Sequence, residues 1–273
     1  MLAHWPHKPF VTHGLNSSVR DLLDLPFLKS LDAMLGAWPK MVQVHLPDVR
    51  DESSSIDATP ADAKKKFEEK LGLLFNDVQN ISPVLKEWLA QIAADLGLPQ
   101  STYARCMVYA TPDGKGTTAH FDQNINFVLQ LHGTKTWWLA PNTTFTNPTE
   151  RFVIGQPVDP ELASYAMEEP PATMPEPQQK VVLKPGSMLF VPRGYWHRTE
   201  AAGEALALNF TFSQPTWVDL LLLALRSRLT LSPQWRELAA VKNPAKFDSL
   251  LAELVEDLPN WRAEDILGAT EGT

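Results

Sequence analysis

Between Thr102 and Ser213 apolar residues recur at alternate positions in short runs, and glycine and proline punctuate the gaps. A period of two is the pleat of a β-strand, and short strands bounded by Gly/Pro turns predict a sandwich or barrel. Tyr103–Tyr109, Thr118–Leu131, Lys135–Leu139, Lys180–Leu183, Ser187–Val191 and Ala205–Phe212 read as strands. Thr111–Gly116 and His132–Gly133 read as turns between them. Proline supports short elements: the chain has 23 in 273 residues, about 8% against a usual ~5%. Seven of the 23 fall between 146 and 180, a proline-stiffened loop of the length that carries function in compact domains.

Helical spacing flanks this segment on both sides. A helix is expected around Val19–Leu35 and another over Ala61–Phe75, with a strand at Met41–His45 and an exposed polar loop over Asp48–Pro60. Ser82 and Pro83 mark the start of a helix carrying Leu85, Trp88, Leu89, Ile92 and Leu96, which Gly97 ends. After Ser213, Thr216 is placed to cap a helix through Leu229. Ser232-Pro233 and Asn243-Pro244 are placed to start two more. The chain therefore divides into residues 1–100 (flanking strands and helices), 101–213 (the β core) and 214–273 (a helical region). Leu220–Leu225 is apolar around most of its helix and is expected to be buried on several sides.

Composition excludes several classes. The single cysteine, Cys106, rules out an internal disulfide and a cysteine-based zinc site. A net charge of −8 argues against a protein that lives on nucleic-acid phosphates. No apolar run is long enough to span a bilayer, and the N-terminus shows no secretory signal, so the expectation is a cytoplasmic protein without a membrane partner.

His120-Phe121-Asp122 places two metal-capable side chains at i and i+2, on one face of a strand. His197 follows an apolar strand and the tight turn Pro192-Arg193-Gly194-Tyr195-Trp196. Two imidazoles and a carboxylate occupy one face of an octahedron and leave three positions open, the arrangement of non-haem Fe(II) oxygenases. The tripeptide alone reads more readily as a strand histidine with a local hydrogen bond; the delivery of His197 reverses that reading in favour of the metal. Parity puts His120, Asp122, Asn124, Asn126, Val128 and Gln130 on one face, and Phe121, Ile125, Phe127, Leu129 and Leu131 on the other. The polar face then lines an interior pocket, with Lys135, Trp137 and Leu139 on the next strand and Ala207, Asn209 and Thr211 on the last. Trp196, beside His197, is a candidate for the rim, and the remaining histidines read as structural.

Three stretches taken in order, TTAHFDQNIN from Thr117, LKPGSMLFVPRGYWHR from Leu183 and Leu208-Asn209-Phe210, resemble the JmjC/cupin-type 2-oxoglutarate oxygenases. The resemblance covers about residues 103–213 and is nearest to the asparaginyl hydroxylase of the hypoxia-inducible factor and the small JmjC protein hydroxylases. It implies a mainly β fold, a double-stranded β-helix (jelly roll) with flanking helices. It implies metal ligands at His120, Asp122 and His197, and Fe(II), 2-oxoglutarate and O2 as cofactor and co-substrates. Lys135, fifteen residues after the first histidine, matches the family's partner of the distal 2-oxoglutarate carboxylate, and Thr117 its hydroxyl donor. Asn126 and Asn209 match asparagines near the co-substrate. Tyr103 and Tyr109 both stand as candidates for the family tyrosine.

The resemblance further implies a hydroxylase acting on a C–H bond of a peptide or protein side chain, and a homodimer formed through the C-terminal helices. The Pro-rich 146–180 segment is expected to frame an open groove, and Arg193 and Arg105 are candidates for an acidic substrate group. A small-molecule hydroxylase on the same fold and a non-catalytic metal-binding cupin are the alternatives. Lysine demethylation is disfavoured by the likeness to hydroxylases.

Overall fold

The structure, a computed structural model, describes residues 5–46, 54–239, 244–262 and 264. Chain contacts divide it into two units, residues 1–94 with 104–213, and residues 95–103 with 214–273. The first unit opens with β1 (Phe10–Thr12), α1 (Arg20–Leu23), α2 (Leu31–Ala37), β2 (Val42–His45), β3 (Ser55–Ala58), α3 (Pro60–Glu68) and β4 (Leu73–Phe75). After α4 (Pro83–Asp95) come β5 (Tyr103–Thr111), β6 (His120–Phe121), β7 (Ile125–Ala140), β8 (Phe152–Val153) and α5 (Pro160–Ser164). β9 (Gln179–Leu183), β10 (Met188–Val191) and β11 (Trp196–Ser213) complete it.

The strands form one sheet in the order β1-β10-β7-β11-β5-β4-β2-β3, with β6 on β11, β8 on β6 and β9 on β7. This mainly antiparallel sheet with flanking helices is the jelly-roll core expected from the sequence. β7 and β11 are its spine. β11 runs along the whole of β7, from Trp196 opposite Ala140 to Phe212 opposite Ile125. On its other edge β7 takes β10 at Asn126–Leu129 and β9 at Lys135–Leu139.

Four local readings are corrected. His132-Gly133 is not a turn, because β7 continues through it. Gly133 has φ +70° and lies so close to the Glu204 carbonyl that a Cβ would overlap it. The glycine serves a bulge in the facing strand, where the register shifts between Ala202 and Leu206. The helix expected over Ala61–Phe75 stops at Glu68, since Lys70 takes φ +69°, and Leu73–Phe75 is strand β4 between β2 and β5. Helical spacing cannot distinguish a short, wholly buried strand from the next turn of helix. Val19–Leu35 is α1, a 3-10 turn begun by Pro26, and the start of α2, capped by the Ser30 hydroxyl (3.1 Å). In the polar loop, 48–53 lie outside the described residues, and Ser55–Ala58 is strand β3, paired with β2.

The second unit contains α6 (Trp217–Leu229), opened by a Thr216/Asp219 capping box, and α7 (Pro244–Asp257). Asn243 lies outside the described residues. No helix starts at Ser232-Pro233; that stretch is turns. Leu220 and Ala224 are buried, whereas Trp217 is 75% and Leu222 57% exposed, so Leu220–Leu225 is covered on one side only. Arg228 binds Asp257 through both Nε and a terminal nitrogen, and the Trp261 indole donates to the same carboxylate (2.8 Å). No helix among the described residues is long and apolar enough to cross a membrane.

One core cluster bears directly on the metal-capable strand. Phe121, Phe145, Phe152, Leu162 and Trp196 are buried together, with the Phe121 and Trp196 rings edge-on at 4.8 Å. Alternation sends Phe121 into this cluster while its neighbours His120 and Asp122 face the opposite way. The Pro-rich loop thus supplies the packing behind β6. Phe121→Ala is expected to destabilise the fold by about 3–5 kcal/mol, the usual cost of emptying a buried phenylalanine site. Urea unfolding checks this, and a change below 1 kcal/mol would show that the cluster does not hold the strand.

Candidate metal centre and its pocket

β6 and β11 bring the two histidines together, because His120 and His197 are direct partners across the strand pair. His197 also has Leu139 of β7 on its other side, so it is fixed from both edges. Asp122 follows β6 where the strand breaks. Its carbonyl accepts from the Gly194 amide (2.8 Å), tying the turn before β11 to the end of β6. Gly194 has φ +75°, and a side chain there would run into the Pro148 ring, so the turn requires glycine.

The Nδ1 of His120 donates to the Thr118 carbonyl (2.7 Å), and the Nδ1 of His197 donates to the Tyr195 carbonyl (2.9 Å). Both rings are thereby held in the tautomer that leaves Nε2 as a lone pair. The Nε2 atoms face Asp122, 3.9 Å and 3.6 Å from its two oxygens. One donor atom from each residue lies within 4.8 Å of the others. Burial raises the Asp122 pKa, but attraction to the two imidazoles in their protonated forms and to the Arg151 guanidinium outweighs it and holds the carboxyl below its ordinary value. Two neutral nitrogens and a carboxylate suit a divalent first-row ion, and the second-contact hydrogen bonds are already made.

The centre opens into a cavity of about 490 Å³. Each remaining residue singled out from sequence lies on its wall: Thr117, Asn126, Lys135 and Asn209. Lys135 is 5% exposed; its ammonium donates to the Thr111 hydroxyl (3.0 Å) and lies about 6 Å from the Tyr109 and Trp137 rings. Trp137 stacks on His197 (5.6 Å, 26°). Asn126 donates to Asp122 Oδ2 (3.2 Å) and accepts from the Thr211 hydroxyl (2.6 Å) and from Asn209 (3.4 Å). Two buried polar atoms of this wall, Trp137 Nε1 and Asn209 Oδ1, have no hydrogen-bond partner among the described residues. Buried polar groups are rarely left unpaired, so these point to a polar occupant of the cavity.

Other expectations are placed differently. Gln130 donates to the His132 and Leu206 carbonyls instead of lining the cavity, and Leu139 packs in the apolar cluster with Trp137. Tyr109 lines the cavity, while Tyr103 is 55% exposed. Trp196 does not rim the site; it is fully buried behind it. Arg193 donates to the Pro148 and Asn147 carbonyls and fastens the loop, whereas Arg105 is on the cavity wall. Of the 146–180 segment Arg151 reaches the cavity, while Phe152 and Leu162 pack behind β6, so the loop buttresses the centre.

Sequence reasoning missed three groups. Arg151 donates to Asp122 Oδ1 (3.2 Å), and nothing in an irregular loop signals this. Thr199 shares a hydrogen bond with the Thr117 hydroxyl (2.9 Å), and its i+2 spacing from His197 is the signal that could have found it. Gln43 comes from β2, where a strand was expected, and Asn76 and Asp77 directly follow β4, just past the stretch where helix was expected.

Residues 90–220 match the JmjC domain family. The chain is 35% identical to the uncharacterised protein YxbC of Bacillus subtilis (strain 168) over 257 residues, 92% of this chain and 78% of that one. It is 30% identical to ribosomal oxygenase 1 of Rattus norvegicus over 168 residues, 60% of this chain and 26% of the relative, so it spans about a quarter of that protein. Among solved structures, E. coli ycfD superposes with a TM-score of 0.58 at 18% identity, covering 96% of this chain and 67% of that one. A YcfD structure in complex with cobalt and 2-oxoglutarate gives 0.56 at 17% identity, covering 93% and 64%. At this identity the structural likeness shows the fold.

Proposed function

The chain belongs to the JmjC-domain family of 2-oxoglutarate-dependent oxygenases, and on that premise we propose that it hydroxylates a C–H bond of a protein side chain at the His120–Asp122–His197 centre. The carrying observation is the convergence of these three donors with the buried ammonium of Lys135 on one cavity. In the balanced reaction, R–H, 2-oxoglutarate and O2 give R–OH, succinate and CO2. Fe(II) would be held by the three side chains and would supply the redox chemistry of the reaction.

The protein contributes binding and order. The Nε2 atoms of His120 and His197 and a carboxylate oxygen of Asp122 would hold the metal. Arg151 and Asn126, one on each carboxylate oxygen, fix the plane of that ligand. Lys135 binds the far carboxylate of 2-oxoglutarate as a charge-assisted pair, with the Thr117/Thr199 hydroxyls beside it. Asn209 and Trp137 offer an acceptor and a donor to groups nearer the metal. Trp137, flat on His197, also keeps water from that side of the ring.

A protein substrate is supported by the names of relatives. Besides ribosomal oxygenase 1, these include the bifunctional lysine-specific demethylase and histidyl-hydroxylase NO66 of Culex quinquefasciatus, 26% identical over 84% of this chain and 34% of that one. A small-molecule substrate is the second reading, favoured by a cavity of a size that encloses such ligands. Purified protein given Fe(II) and 2-oxoglutarate is expected to release succinate, and an added substrate to gain one oxygen atom by mass spectrometry. Succinate release that stays at the level of a protein-free control would sink the assignment. The exposed apolar side of α6 supports a homodimer. Light scattering is then expected to give about twice the 30.5 kDa chain mass, and a mass of one chain excludes the dimer.

A further inference from the structure

Lys135 is reached from two directions. A second cavity of about 120 Å³ lies beside the metal-centre cavity, and Tyr109, Thr117 and Lys135 line both. Its inner end holds Thr111, whose hydroxyl accepts from the Lys135 ammonium (3.0 Å). Its outer lip carries two exposed cations, Lys70 and Lys115. The nearby carboxylate, Glu69, is bound to Lys66 (2.8 Å), which offsets its charge.

Backbone hydrogen bonds fasten two sides of this cavity. The loop before Thr117 is fastened to β11 by Gly114 N to the Ala201 carbonyl (3.0 Å), Ala201 N to the Lys115 carbonyl (2.8 Å) and Thr199 N to the Thr117 carbonyl (3.1 Å). The opposite side is β4 paired with β5, extended by His45 N bonding the Gly72 carbonyl (2.9 Å). Such a frame makes a standing opening and does not depend on a loop swinging away.

We propose that this smaller cavity is a rear portal through which the dicarboxylate co-substrate reaches the Lys135 anchor and its dicarboxylate product leaves. The inference rests on the reading of the site given above. A primary substrate seated over the metal closes the larger cavity, as water exclusion requires. A dicarboxylate held at Lys135 then lies behind that substrate. An opening at the lysine end lets it exchange without the substrate dissociating. A chain of net charge −8 repels a dianion at long range, and Lys70 and Lys115 reverse that field locally at the lip.

The test separates a portal from a binding contact by rates. Association and dissociation of 2-oxoglutarate and succinate are followed by stopped-flow tryptophan fluorescence on the Mn(II)-loaded full chain. Gly72 lines only the smaller cavity. A Cβ there would meet the Ala110 carbonyl and the His45 ring at 3.7 Å, ordinary contact distances, so Gly72→Leu narrows the opening without backbone strain. It is expected to slow association and dissociation by the same factor, leaving Kd unchanged. Lys70→Glu and Lys115→Glu are expected to cut association about tenfold together at low ionic strength, an effect that fades in high salt.

Wild-type rates in Gly72→Leu, or a raised Kd with an unchanged association rate, would overturn the portal. So would lysine variants that bind at the wild-type rate in low salt, and these remain decisive if the leucine variant does not fold. Absence of any 2-oxoglutarate binding by the wild-type chain would overturn the site reading itself. Binding that ignores all three substitutions overturns the portal alone.

Discussion

Asp122→Ala is expected to abolish both metal binding and succinate release, a loss well beyond the roughly 10–100-fold that follows removal of an outer hydrogen-bond partner. Asp122 supplies the only carboxylate of the three-donor cluster, and the two histidines are fixed as neutral Nε2 donors by their carbonyl contacts. Without it a dication meets no compensating negative charge. The substitution also removes the carboxylate to which Arg151 Nε donates, so a cation beside the site loses that compensating charge. His120→Ala is expected to lose turnover as well, since a carboxylate and one imidazole no longer define a face. Calorimetric titration with Mn(II) and a succinate assay measure the two effects, and circular dichroism shows that the fold is retained. Turnover at the wild-type level in either variant would remove the metal from these residues.

The metal-capable residues were legible in sequence because strand parity is a local rule: His120 and Asp122 share a face and Phe121 opposes them whatever lies around. What delivers His197 was legible for the same reason, an apolar strand ended by a glycine turn. Gly133 misled because φ > 0 serves a turn and a bulge alike, and only the facing strand, with its shift between Ala202 and Leu206, distinguishes them. Leu73–Phe75 misled because three buried residues carry no period at all. Arg151 and the outer-wall residues Gln43, Asn76 and Asp77 were invisible on other grounds. They reach the cavity through loop geometry and through strands far away in sequence, and neither leaves a spacing signature. The proline-rich segment was legible as structured, but what it packs against was not. Its aromatic residues are spent behind β6, which a count of prolines cannot show.

Lys135→Ala is expected to raise the KM for 2-oxoglutarate by about two to three orders of magnitude while leaving kcat much less changed. Removing one member of a buried charge pair costs about 3–5 kcal/mol, and each ~1.4 kcal/mol is tenfold in affinity. Lys135 is 5% exposed, so the carboxylate it would meet is out of water and cannot replace the lost partner with solvent. The Thr117 and Thr199 hydroxyls remain, but neutral donors recover only a fraction of a charge-assisted bond. The effect falls on KM because the distal carboxylate takes no part in bond making, so its contact is the same in the ground and transition states. Lys135→Arg keeps the charge in a wider group and should retain intermediate affinity. The same variants report without turnover: 2-oxoglutarate should raise the melting temperature of the Mn(II)-loaded wild type, and that shift should vanish in Lys135→Ala at equal ligand concentration. An unchanged KM in Lys135→Ala would mean that the far carboxylate is held elsewhere. Arg105, the other cation on the wall besides Arg151 at the metal ligand, would then be the next residue to replace.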